Sequence, residues 1–365
     1  MVDELRNSKN GARTGDSPGP GFRRGRGLEL SIHTPADDRA AVPQPAAVPP
    51  RRGRGLQLST NLQPPGDRAA GVGDLGALAP LQRIGLAHGQ VCYRQSGEGP
   101  PLLLLHGWGA SSRYWFSTQA RLADRHTSYA LDLPGFGASP ALGRPGGIAR
   151  LAELTIEFAD ALGLAEFDLN GHSFGGAVAT YIAAHWPTRV RRLVITAFGV
   201  RRSAIERTCL SLAHAPAELA LQLGQPLIDL WRPLQSQARP ITELLMSAPP
   251  IPDLLAGWYL NRAPEDRRLL REGIADLLDM DLGAHLACVI SIGDPVVVEA
   301  LGRLCAPALF VGGAADRVIP ADDLRAAAEL ARARHVQVIE QCGHVPMIEQ
   351  PEAYHTALRQ FLAES

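Results

Sequence analysis

Lysine is nearly missing from this chain of 365 residues: of its 36 basic side chains, only Lys9 is a lysine. That bias reflects GC-rich coding more than chemistry. Net charge is missing too, at −1, so nothing draws the chain toward nucleic acid or an anionic membrane surface. No apolar run approaches the roughly 18 to 20 residues of a membrane span. Cysteine is scarce: Cys92, Cys209, Cys288, Cys305 and Cys342 are odd in number, scattered and without metal-ligand spacing. They indicate buried thiols in a reducing compartment, not a disulfide framework, and a cytoplasmic location is the expectation. Aromatic residues make up only 5%, yet hydrophobic residues make up 45%. About 280 residues have globular composition, enough for one sizeable domain or a core with an insertion.

Residues 1–78 are set apart by Pro, Gly, Arg and Ala, with Phe22 the one aromatic. They hold an internal repeat. Arg23-Arg24-Gly25-Arg26-Gly27-Leu28 returns as Arg51-Arg52-Gly53-Arg54-Gly55-Leu56, and Asp38-Arg39-Ala40-Ala41 as Asp67-Arg68-Ala69-Ala70. Such a segment buries too little apolar area to offset its ordering entropy and is expected to be a disordered tail. Its acids argue against a transit peptide, and no apolar region follows either arginine pair to make a secretory signal. A start near Val72 would leave the globular region whole.

From there the pattern alternates. Val91–Gln95, Leu102–His106, Thr127–Asp132, Phe167–Asn170, Val190–Ala197, Ala308–Gly312 and Val336–Glu340 read as strands. Ser111–Asp124, Ile148–Leu162, Phe174–Trp186 and Pro351–Glu364 read as helices. Alternation of this kind predicts an α/β fold with a doubly wound, mostly parallel sheet. Residues 200–300 break it: they read as helices interrupted by prolines, an insertion expected to form a cap. The core is then 79–199 with 301–365.

The chemistry concentrates in loops that follow strands. Gly171-His172-Ser173-Phe174-Gly175 places a serine on a tight strand-to-helix turn, where its oxygen is exposed at a helix N-terminus. Asp316 follows the Ala308–Gly312 strand, and His344 follows the next one. The order Ser173, Asp316, His344 suits a nucleophile, an orienting acid and a general base. His106-Gly107-Trp108-Gly109 supplies a turn whose Trp108 N–H, with that of Phe174, would bind a developing oxyanion. Asp294 and Asp322 are rivals for the acid. His106, His172 and Asp132 are expected to shape turns and brace a loop. Trp231, Trp258 and Tyr259 either line an acyl pocket or pack the cap on the sheet. Cys342 reads as buried filler, and Arg201-Arg202 as a solvated face.

Four segments carry a resemblance: Leu105-His106-Gly107-Trp108-Gly109, Asp132-Leu133-Pro134-Gly135-Phe136-Gly137-Ala138-Ser139, Gly171–Gly176, and Asp316 with Gly343-His344. In order and spacing they resemble the α/β-hydrolase superfamily over about residues 80–365. Within it they are similar to small carboxylesterases, among them the methyl esterases of carrier-bound pimeloyl esters. Serine at 173 departs from the aspartate nucleophile of haloalkane dehalogenases and epoxide hydrolases. Gly109 departs from the proline usual there in those enzymes and in cofactor-free haloperoxidases. The resemblance implies ester hydrolysis through an acyl-enzyme on a small hydrophobic ester, with no metal or organic cofactor. The same residues also admit a thioester, amide, acyl-transfer or C–C substrate, or a ligand-binding module without catalysis.

Overall fold

A computed structural model describes residues 78–143, 146–201, 203–261, 267–291 and 294–364. The expected tail, up to residue 77, and Arg202 lie outside these described residues. Eight strands follow in chain order: β1 (Leu81–Leu86), β2 (Gly89–Ser96), β3 (Pro101–Leu105), β4 (Thr127–Asp132), β5 (Phe167–His172), β6 (Val190–Thr196), β7 (Ala308–Gly313) and β8 (His335–Ile339). They form one sheet in the order β1-β2-β4-β3-β5-β6-β7-β8. The first two pairings, β1 with β2 and β2 with β4, are antiparallel, and all the others are parallel. The sheet is therefore mostly parallel, as the alternating pattern predicts. Strand β1 escaped the sequence reading. It is a half-exposed edge strand, and its Gln82, Arg83 and Gly85 dilute the apolar alternation that marks a strand.

The helices are α1 (Phe116–Leu122), α2 (Ile148–Ala161), α3 (Phe174–His185), α4 (Ala204–Leu223), α5 (Gln225–Ser247), α6 (Ile251–Tyr259), α7 (Arg267–Asp279), α8 (Leu282–Ser291), α9 (Pro295–Gly302), α10 (Ala321–Leu330), α11 (Pro346–Glu349) and α12 (Pro351–Ala363). The single helix expected over Ser111–Asp124 is in fact a 3-10 turn, Ser112–Trp115, followed by α1. Ser111 caps that turn by accepting a hydrogen bond from the Arg113 N–H at 3.3 Å. Helices α4 to α9 all stand between β6 and β7, with no strand among the described residues there. Pro216, Pro233 and Pro240 fall inside helices α4 and α5.

Strand β3 shows how the core divides. Its leucines alternate across the sheet, because successive side chains of a strand point to opposite faces. Leu103 and Leu105 join one buried cluster with Ile156 of α2, Ile182 of α3 and Leu324 of α10. Leu102 and Leu104 join the other with Trp115, Leu122 of α1 and Leu358 of α12. A central parallel strand covered on both faces thus reads as an unbroken apolar run. Parallel strands also share one direction, so the loops leaving β3, β5, β7 and β8 emerge along the same edge.

Candidate active site

Ser173 sits at that edge, between β5 and α3, with a backbone φ of 51°. A non-glycine residue there is strained and persists only if its surroundings hold it. They do: the Ser173 N–H donates to the Thr196 carbonyl at 2.8 Å, and the Ser173 carbonyl accepts from the Gly176 N–H at 2.8 Å. The glycines on either side are required by close approach. A Cβ on Gly171 would lie 2.2 Å from the Gly175 carbonyl oxygen, and one on Gly175 would lie 2.4 Å from that of Leu105.

The neighbouring loops bring the acid and the imidazole to this serine. Because β7 and β8 are adjacent, their exits are stitched together: the Ala314 N–H donates to the Ile339 carbonyl and the Ala315 N–H to the Cys342 carbonyl, both at 2.8 Å. His344 Nε2 lies 3.0 Å from Ser173 Oγ, and His344 Nδ1 lies 2.8 Å from Asp316 Oδ2. The other oxygen of Asp316 accepts from the backbone N–H groups of Val318 and Ile319, at 2.8 and 2.9 Å. Asp316 and His344 are both buried. Of the rival acids, Asp294 caps α9 by accepting from the Val296 N–H, and Asp322 pairs with Arg325 on α10.

Two further imidazoles shape the site. His106 is fully buried, accepts the Leu133 N–H at Nε2 (3.0 Å) and has Nδ1 2.7 Å from the Gly107 carbonyl. One acceptor and one donor define a neutral ring, and burial lowers its pKa. His172 Nε2 lies 2.8 Å from the His344 carbonyl oxygen. Burial, then the neighbouring His344, push the His172 pKa down to about 3. Asp132 braces the surroundings: its carboxylate accepts from the N–H groups of Ser112 at 2.6 Å and Ala138 at 2.9 Å. The N–H groups of Trp108 and Phe174 have no hydrogen-bond acceptor among the described residues.

A cavity of about 590 Å³ opens over Ser173 and His344, lined by Trp108, Phe174, Trp258 and Tyr259 among others. Trp258 and Tyr259 are thus wall residues, whereas Trp231 lies on an exposed face of α5. Trp115 is wholly in the core. The wall is not purely apolar, because Arg113 and Asp276 also line it. Sequence reasoning missed Asp276, since its partners stand far away in the chain. It missed Glu349 as well. That carboxylate accepts from the N–H groups of Gly343 (3.0 Å) and Val345 (3.1 Å), on either side of His344, and of Asn261 (2.7 Å). Partners that are all backbone groups leave no pattern in side-chain identity.

Known proteins resemble the chain across this region. Residues 102–357 match the family model described as the alpha/beta hydrolase family. Pyrrolizixenacetamide deacetylase of Xenorhabdus hominickii is 25% identical over 292 residues, covering 77% of this chain and 98% of that protein. Pimeloyl–acyl-carrier-protein methyl ester esterase of Aeromonas salmonicida (strain A449) is 27% identical over 272 residues, covering 74% and 99%. Among solved structures, a membrane phospholipase A described as a bacterial virulence factor aligns with a TM-score of 0.60 at 26% identity, over 78% of this chain and 85% of that one. With the family match spanning most of its length, the chain belongs to the alpha/beta hydrolase family.

Proposed function

We infer that the protein hydrolyses a carboxylic ester through an acyl-enzyme, with Ser173 as nucleophile, His344 as general base and acid, and Asp316 orienting the imidazole. The observation that carries this reading is the continuous chain from Ser173 Oγ to His344 Nε2 (3.0 Å) and from His344 Nδ1 to Asp316 Oδ2 (2.8 Å). As Oγ attacks the ester carbonyl, Nε2 takes its proton. The carbonyl oxygen gains negative charge and is met by the N–H groups of Trp108 and Phe174. Collapse breaks the C–O bond, and the alcohol leaves with the proton from His344. Water then attacks the acyl group by the same route, giving the acid and restoring Ser173. Asp316 holds the imidazole in this orientation, its second oxygen being fixed by two N–H groups.

The apolar side chains around the cavity suit a hydrophobic acyl or alcohol part. Helices α4 to α9, which supply Trp258 and Tyr259, would serve as the cap. An amide is the second reading, favoured by the deacetylase relative, and it uses the same steps with an amine leaving.

A fluorophosphonate probe and p-nitrophenyl esters of increasing chain length test the proposal. Wild-type protein should be labelled and turn over esters. Ser173→Ala should lose labelling and at least about a thousandfold of turnover. Folded wild type that takes no label and cleaves no ester or amide would instead be a ligand-binding module.

A further inference from the structure

Resting on the reading above, we propose that Asp276, on helix α7, is a positioning residue for the turn that presents the Trp108 N–H. The turn runs from His106 through Gly109 to the 3-10 segment at Ser112, and α7 grips it from the insertion side. Asp276 Oδ2 accepts from Ser111 Oγ at 2.7 Å, and Asp276 Oδ1 accepts from the Arg113 guanidinium. Ser111 in turn caps the 3-10 segment through the Arg113 N–H. On the core side, Asp132 holds the next N–H, that of Ser112, at 2.6 Å. Two carboxylates therefore clamp consecutive residues, one from β4 and one from the insertion.

Neighbouring contacts follow the same path. Leu277, next to Asp276, packs so tightly on Gly109 that a Cβ there would come within 2.8 Å of it. The Trp108 indole N–H donates to His285 Nδ1 of α8 at 3.2 Å. The insertion thus touches the turn at Trp108, Gly109, Ser111 and Arg113.

Stability alone does not explain a carboxylate there. Asp276 is only 1% exposed, and Arg113, Ser111, Asp132 and Tyr114 are the polar groups around it. Replacing a buried ion pair by apolar residues of similar volume is often neutral or stabilising. What an apolar pair cannot do is hold the Ser111 hydroxyl in one direction. That orientation fixes the start of the 3-10 segment, and through it the aim of an N–H three residues upstream. Displacements on the order of 1 Å at such a donor cost about a hundredfold in rate.

The test compares wild type with Asp276→Ala, Asp276→Asn and the double variant Arg113→Met/Asp276→Leu. It measures kcat, KM, fluorophosphonate labelling rate and Tm, with Ser173→Ala as control. Expected is a fall in kcat and labelling of about tenfold to a hundredfold in Asp276→Ala and in the double variant, with KM within about twofold. Asp276→Asn should lose less, because its side chain still reaches Ser111. The double variant should melt near the wild-type temperature. Full kcat in the folded double variant, or a loss that only tracks unfolding, overturns the proposal and leaves the role of Ser173 intact. Wild type that neither labels nor turns over removes both readings.

Discussion

Single residues set the response of this molecule to acid. Burial drives His106, His172 and His355 toward their neutral forms, His172 to about 3 and His355 to about 4. In the unfolded chain each titrates near 6.5. Between these values the unfolded state binds protons that the folded state does not, so stability falls with pH from about 6.5 downward. Asp276 acts in the opposite sense. Burial lifts it from 3.8 to about 6, so its ionisation opposes folding as pH rises through that window. Three groups outweigh one, and Tm should drop between pH 7 and pH 4. His355→Gln, which keeps a partner for the Thr118 hydroxyl at the same place, should flatten that slope; a Tm that climbs toward pH 4 contradicts the account. At this scale the sequence was informative where chemistry demands a particular side chain after a strand. Ser173, Asp316 and His344 were legible for that reason. Asp276 was not, because it stands inside helix α7 in no recurring motif, and its bond to Ser111 leaves no local pattern.

At the scale of elements, the junction of β5 with α3 leaves no room for a side chain. Helix and strand meet through the Gly171 and Gly175 backbones, and the carbonyl oxygens of Leu105 and His106 lie 2.4 and 2.5 Å from where a Gly175 Cβ would be. Gly175→Ala should therefore push β3 and α3 apart. The expected loss is more than about 2 kcal/mol of stability, read by urea unfolding, together with most of the activity. Periodicity exposed the strands and helices that are buried on a face. It failed at β1, whose half-exposed edge carries little apolar signal, and at the break before α1. Just before it, Ser111 and Arg113 bond to the side chain of Asp276, a contact beyond the reach of local propensity.

Over the whole molecule, apolar residues divide sharply by location. Leu104 is fully buried between the sheet and α12, whereas Leu230 of α5 is 67% exposed. Leu104→Ala should cost about 2–5 kcal/mol. Leu230→Gln should stay within about 0.5 kcal/mol, since that side chain is largely in solvent. Comparable losses from both substitutions in denaturant melts would mean that the two surfaces are not distinct. Fold class was readable from the alternation of strands and helices, but strand order was not. The placement of β4 between β2 and β3 rests on pairings between strands distant in the chain, which spacing along the chain does not encode.

The bond from His172 Nε2 to the His344 carbonyl has a practical outcome. It spans the two halves of the site one residue upstream of Ser173 and uses no atom of that serine. The gap between residue 173 and the imidazole is therefore fixed by a neighbour, and it should outlast removal of the hydroxyl. Ser173→Ala would keep the chamber's shape and, on the role proposed for Ser173, stop turnover, which makes that variant the natural host for soaking an intact ester into crystals and seeing which end enters first.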